Sequence, residues 1–162
     1  MVRKTTPKQM QQQWSMLKHK LAVNLWNFEI EAGKAAETVF IGSFAMGRLN
    51  TRGSTAWPPR KHPVSHPILN ETGTLQRSIT SKVFKRKKQV QIYTDPSKFG
   101  TAARHAGFCY AAIHNAPDSK GFRTGRSANI ARRQFIGHST ILDDKLKKLE
   151  VMIFAGFPGV PQ

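Results

Sequence analysis

The longest regular signal in the chain is a helical stripe. Met10, Trp14, Leu17, Leu21, Leu25, Phe28, Ala32, Ala35 and Val39 recur at steps of three and four. That spacing places them on one side of an α-helix. Thr6-Pro7-Lys8-Gln9 precedes them and has the residues of a capping box, with proline at the first helical position. The spacing predicts a helix from Pro7 to about Phe40, roughly 50 Å long at 1.5 Å per residue. Gly33 is a weak point in it and Gly42 a stop signal. A helix of this length in a small domain reaches past its own core, and its free end is expected to pack on a neighbouring subunit.

The chain has 162 residues, the size of one ordinary domain, and a core can form without staples. Between Ala45 and Asn70 glycines and prolines break every period. Arg48, Arg52, Arg60 and Lys61 lie there with no acid among them, as does Trp57. The ring of Trp57 needs a place to bury, either on the domain itself or on a partner. This stretch is expected to be mobile until it docks, with Arg48, Arg52, Trp57, Arg60 and Lys61 as its contact residues.

Ser78 to Phe84 and Gln89 to Thr94 read as strands, with Lys85-Arg86-Lys87-Lys88 as the tip of a hairpin. Phe108 to His114 reads as a third strand, and Asn115 to Asn129 as a second basic, mobile loop. Arg133 to Ile136 reads as a short strand or an extended entry to the last helix. That helix is expected from about Thr140 to Phe154, with Thr140 and Asp143 as its capping box and Leu142, Leu146, Leu149 and Ile153 as its apolar stripe. The expected fold class is α+β: a long N-terminal helix packed on a small, mainly antiparallel sheet, with a second C-terminal helix. One domain over residues 1–155 is expected, with long basic loops at 45–70 and 115–129 and a flexible tail at 156–162.

The charge balance bears on partners. There are 26 Lys and Arg against 9 Asp and Glu, a net charge of +17. Such a surface attracts nucleic acid or acidic protein surfaces. From Thr38 to Thr94 ten basic residues face one acid, Glu71. The densest group is Lys82, Lys85, Arg86, Lys87 and Lys88, which suits phosphate or DNA contact, or else a solvated tip that discourages edge pairing. No motif that reads bases is present.

Catalytic sets are not apparent. His62 and His66 stand four apart, but Pro63 and Pro67 oppose the helix that would align them for a metal. The lone Cys109 lies in an apolar run, which favours a buried, inert thiol. The run 121–126 is not a phosphate-binding loop. Neither enzyme activity nor a cofactor is expected. No apolar run approaches the roughly 20 residues of a bilayer span. The basic start Met1-Val2-Arg3-Lys4 has no apolar run after it, so no signal peptide and no membrane partner are expected.

Short motifs follow one another in a telling order. They are Gly53-Ser54-Thr55-Ala56-Trp57-Pro58, then Leu69-Asn70-Glu71-Thr72-Gly73-Thr74-Leu75-Gln76-Arg77-Ser78, then Tyr110-Ala111-Ala112-Ile113-His114, then Ala131-Arg132-Arg133-Gln134-Phe135-Ile136-Gly137. This resembles the phage virion morphogenesis family, which includes tail-completion proteins of Mu-like contractile-tailed phages. Members show a Gly-x-x-Trp-x-Pro-like turn, Leu-x-x-Thr-Gly-x-Leu-x-x-Ser, Tyr-Ala-x-x-His, and Pro-Ala-Arg-x-Phe-Leu-Gly before a final helix. The likeness covers about residues 7–155. It departs at Ala131, which stands where the family has proline, and at Asn115-Ala116-Pro117, where a glycine usually follows the histidine.

The resemblance implies a structural protein of the neck or tail-completion type, in the virion and, during assembly, in the host cytoplasm. It would form a homo-oligomeric ring with other phage neck, connector or tail proteins, and could touch DNA without sequence preference. Thr72, Gly73, Leu75, Ser78, Tyr110, His114, Arg133, Phe135 and Gly137 would be its structural motif residues. A free nucleic-acid-binding protein and a capsid-assembly factor absent from the finished particle are the alternatives.

Overall fold

The computed structural model describes residues 6–60, 65, 67–99, 110–115 and 131–158. A single long helix, α1 (Pro7–Met46), spans 40 residues. Thr6 caps it as its residue type predicts. Its hydroxyl accepts from the Gln9 amide at 3.3 Å, and the Gln9 side chain receives the Thr6 amide at 2.9 Å. A short helix α2 (Thr74–Ser78) leads into a two-stranded antiparallel hairpin of β1 (Ile79–Phe84) and β2 (Gln89–Thr94). A 3-10 turn at Pro96–Lys98 follows. Then come a six-residue helix α3 (Tyr110–Asn115) and, after an extended stretch, α4 (Thr140–Leu149), which tightens into a 3-10 helix at Glu150–Phe154. The fold is α+β: a long N-terminal helix packed on a small antiparallel sheet, with a C-terminal helix.

Three features differ from what the residue pattern predicts. The first helix ends not at Gly42 but at Gly47, whose φ of 61° is the left-handed conformation that closes a helix. Phe44 beyond Gly42 belongs to the core, so burial carries the helix on. A Cβ on Gly42 would come within 2.8 Å of Asn50 Nδ2, and that amide donates to the Val39 carbonyl at 2.9 Å. The glycine therefore serves close approach, not termination.

The expected third strand is a helix over Tyr110–Asn115. A short apolar run does not distinguish the two states, and two alanines favour helix. The last helix is capped by Ser139, whose hydroxyl accepts from the Leu142 amide at 3.2 Å. Thr140 is its first residue, with its hydroxyl 3.2 Å from that of Thr51. Two capping residue types stood side by side, and the contact with Thr51 decided between them. Past that helix, Lys20 Nζ donates to the Gly156 carbonyl at 2.7 Å. Residues 159–162 lie outside the described residues, as do Lys61, His62, His66, Phe108, Cys109 and the loop at 116–130.

The core gathers Ala36, Val39, Phe40 and Phe44 of α1 with Trp57, Leu69, Leu75, Ile79, Ala111 and Phe135. The hairpin crosses α1 at Gly33. There a Cβ would stand 2.7 Å from Ser81 Oγ, 3.1 Å from Ser81 Cβ and 3.4 Å from Val90 Cγ1. Glu37, one turn on, receives the Ser81 amide at 2.5 Å. Gly33→Ala would gain about 0.5–1 kcal/mol of helix propensity. Overpacking against a rigid Cβ costs about 1–3 kcal/mol, so the clash wins. Urea denaturation should show a net loss of about 1–2 kcal/mol, reduced when Ser81→Gly is added. A more stable single variant would refute this account of the glycine.

Candidate functional site

The motifs that stand far apart in the chain meet in one node. Trp57 is 6% exposed, makes an edge contact with Phe44 at 5.7 Å, and donates from Nε1 to the Gln134 carbonyl at 2.8 Å. Of the two homes open to this ring, it occupies the one on its own domain. Residues 47–60 follow it. The Trp57 amide donates to the Gly47 carbonyl at 2.7 Å, and Arg48 bridges to Ala56. This loop rests on the 134–140 segment.

Arg133 joins the same node from the other side. Its guanidinium is buried and donates to the carbonyls of Pro58 and Pro59 at 3.1 and 3.2 Å. Carbonyl oxygens take a planar fork of this kind without a carboxylate. Its backbone amide donates to the His114 carbonyl at 2.8 Å. Burial, and next the Arg133 charge, lower His114 to a pKa of about 4. The imidazole is therefore neutral at pH 7. Phe135, 1% exposed, lies 5.4 Å from the Phe44 ring.

Thr72-Gly73 opens α2. Gly73 has φ 70°, which glycine adopts without strain, and the Thr72 carbonyl receives Arg77 at 2.8 Å. Leu75 is buried, and the Ser78 hydroxyl donates to its carbonyl at 2.7 Å. Gly137 lies beside Gln134, whose amide donates to the Ile136 carbonyl at 3.2 Å.

Three polar residues of the node escaped the chain reading. Asn115 Oδ1 accepts from the amides of both Phe135 and Ile136, at 3.0 and 2.9 Å. Ser43 is fully buried and accepts from the Asn50 amide at 3.0 Å. The Ser139 hydroxyl donates to the Asn50 carbonyl at 2.5 Å. Asn115 follows the histidine motif directly and could have been flagged as a residue suited to bridging backbone amides. Ser43 sits in the last turn of α1, past where the sequence pattern ends the helix, and carries no such signal.

What this node can do chemically is limited. An open trough of about 470 Å³ runs between the 49–58 loop and Arg132 and Gln134, and among the described residues Arg132 is the one ionisable group that lines it. None of those described lining residues is an acid placed for proton transfer. Among the described residues no three of His, Cys, Asp or Glu gather as for a metal. Among them, too, no helix is long and apolar enough to cross a membrane.

The cationic residues fall into separate places. Arg52 pairs with Asp144 at 2.7 Å, Arg60 donates to the Pro67 carbonyl at 2.8 Å, and Arg48 is exposed. The hairpin keeps its cluster together. Lys82, Lys85, Arg86, Lys87 and Lys88 are all exposed. Lys82 Nζ lies 5.2 Å from the Phe84 ring centre, and Lys85 Nζ lies 3.9 Å from that of Trp26 on α1. The second contact is within cation–π range and fastens the tip to the helix without removing its charge. Lys88 takes a φ of 51°, which closes the turn. The result is a cationic surface with a fixed base, suited to phosphates and indifferent to base sequence. The chain matches no protein-family model, no curated protein and no solved structure.

Proposed function

We propose that this is a structural protein of a tailed-phage virion, of the neck or tail-completion type, and not an enzyme. It would join head and tail, or terminate the tail, as a ring of identical copies in contact with other neck, connector or tail proteins. One observation carries the reading. The motifs that resemble the virion morphogenesis family supply Trp57, Leu75, Ala111, Arg133 and Phe135 to a single packed node, and none of them presents a reactive group to a cleft. Residues of this kind maintain a shape. The exposed cationic hairpin and the bare end of α1 then serve contact.

Mass spectrometry of purified particles of the virus that encodes the chain tests this. The protein should be present in a fixed ratio to the tail proteins. Its absence would favour an assembly factor or a free DNA-binding protein.

The hairpin supports the DNA-binding reading and the ring reading alike, because a neck ring must pass any DNA sequence through its lumen. Reversing charge at Lys85, Arg86, Lys87 and Lys88 should leave the fold intact, since exposed changes alter stability little. It should lower the slope of log affinity against log salt by about 3–4 if each contacts a phosphate. If the tip meets an acidic neighbour instead, assembly is lost and DNA affinity stays. Unchanged DNA binding at low salt would end the lumen proposal.

A further inference from the structure

The stripe that packs α1 into the domain continues past the point where the domain stops covering it. Lys20 and Asn24 mark the end of that cover. They hold the carbonyls of Gly156, Ile153 and Ala155 at the C-terminal end of the described chain. N-terminal to them, Pro7 to His19 project as an arm of roughly 20 Å. Met10, Trp14 and Leu17 follow at steps of four and three along it, and the half-buried Leu21 continues the stripe beyond; Leu17 is half-buried too, whereas Met10 and Trp14 are exposed. Met10 is 50% exposed and Trp14 61%. A tryptophan left this bare, in register with a buried stripe, is the usual anchor of a helix that lies in a groove.

Charge selects the occupant. No acid occurs between Met1 and Phe28, whereas Lys18 and Lys20 flank the stripe on its two sides. A second copy of the arm offers Gln11, Gln13, Lys18 and Lys20 beside its own stripe, so no opposite charges could pair across the seam. The rest of a second copy is little better. Glu31 holds Lys34, Asp143 holds His138 and Asp144 holds Arg52. Glu37 and Asp95 accept backbone amides, and Glu29 is buried. Glu150 is a single exposed acid that follows Lys145, Lys147 and Lys148, and Glu71 and Asp118 stand in stretches of the sequence dominated by Lys and Arg.

We infer that the N-terminal arm of α1 docks in an apolar groove rimmed by carboxylates on a different protein, with Trp14 as anchor and Lys18 as a rim contact. This replaces a neighbouring copy of the chain as the partner of the free helix end. The inference stands on the arm itself and does not require the virion reading.

The test uses the full chain with a photo-crosslinking amino acid in place of Gln13, which stands beside the stripe and leaves Trp14 intact, made in the cells that naturally express it. The attachment site is then identified by mass spectrometry. The expected adduct is to one other protein, at a peptide where Asp or Glu flank apolar residues. Lys18→Glu should cut its yield about fivefold, and the unlabelled full-length chain should compete for the purified partner while full-length Trp14→Ala does so roughly 30-fold more weakly. Sedimentation of the purified chain should be the same with and without Trp14→Asp. Anionic phosphatidylglycerol vesicles should not bind in an arm-dependent way. Adducts to copies of the same chain, adducts to lipid, or the pattern of a control position at Lys147 would each overturn the inference. Particle mass spectrometry reports on the virion role separately, so failure of either is seen without the other.

Discussion

Trp57→Ala should destabilise the protein by about 3–5 kcal/mol, the range for removing a large buried aromatic. Typical domains have about 5–15 kcal/mol in total, so the variant would lose a large share of its stability. The size of the effect follows from what the ring joins. It packs on Phe44 of α1, and its indole donates to the Gln134 carbonyl in the segment before α4. Its backbone ties to Gly47 just past the helix end. Truncation opens a cavity in the node and leaves the Gln134 carbonyl unpaired. Trp57→Phe separates these contributions: it keeps most of the packing and loses the hydrogen bond, for about 1–2 kcal/mol. Denaturant titration of both variants measures the difference. A loss below about 1 kcal/mol for the alanine variant would mean that other contacts hold the 47–60 loop in place.

Acid should weaken the fold through His114. Its folded pKa of about 4 lies below the ordinary value of 6.5, because burial, and next the Arg133 charge, oppose protonation. The unfolded chain therefore binds the proton more readily between those values. The neutral imidazole's contribution is complete above pH 6.5 and is lost as pH falls from there to about 4. At 1.36 kcal/mol per unit this approaches about 3 kcal/mol. Urea midpoints between pH 7 and 4 should fall steeply, and His114→Gln should flatten most of that fall. Asp143 and Asp144, which pair with His138 and Arg52 at exposed sites, are the same in both proteins, so the difference isolates His114. Equal pH dependence in the two would show that His114 is not the group responsible.

Periodicity and caps carried much of the fold into view. The start of α1 was legible to the residue, because Thr6, Pro7 and Gln9 act on backbone groups three residues away. Strand β2 was legible in full and β1 to within one residue, since β-branched and aromatic side chains on a cationic turn have few other homes. Local rules fail where distant residues decide. Gly42 looks like a stop and is a contact for Asn50. Thr140 looks like a cap and yields that place to Ser139. Neither choice can be read without knowing that the 47–56 loop folds back over α1 and α4.

The sequence by itself determined the long helix, the hairpin, the cationic tip and the order of the motifs. All of these rest on interactions within a few residues. Only the tertiary structure decided that Trp57 is buried on its own domain, that Arg133 reaches across to Pro58 and Pro59, and that Asn115 satisfies two amides about twenty residues away. It also decided where the cover over α1 ends, at Lys20 and Gly156, and so which part of the stripe remains bare. The physical reason is that a buried polar group must find a partner somewhere, and sequence does not say where until the chain has closed on itself.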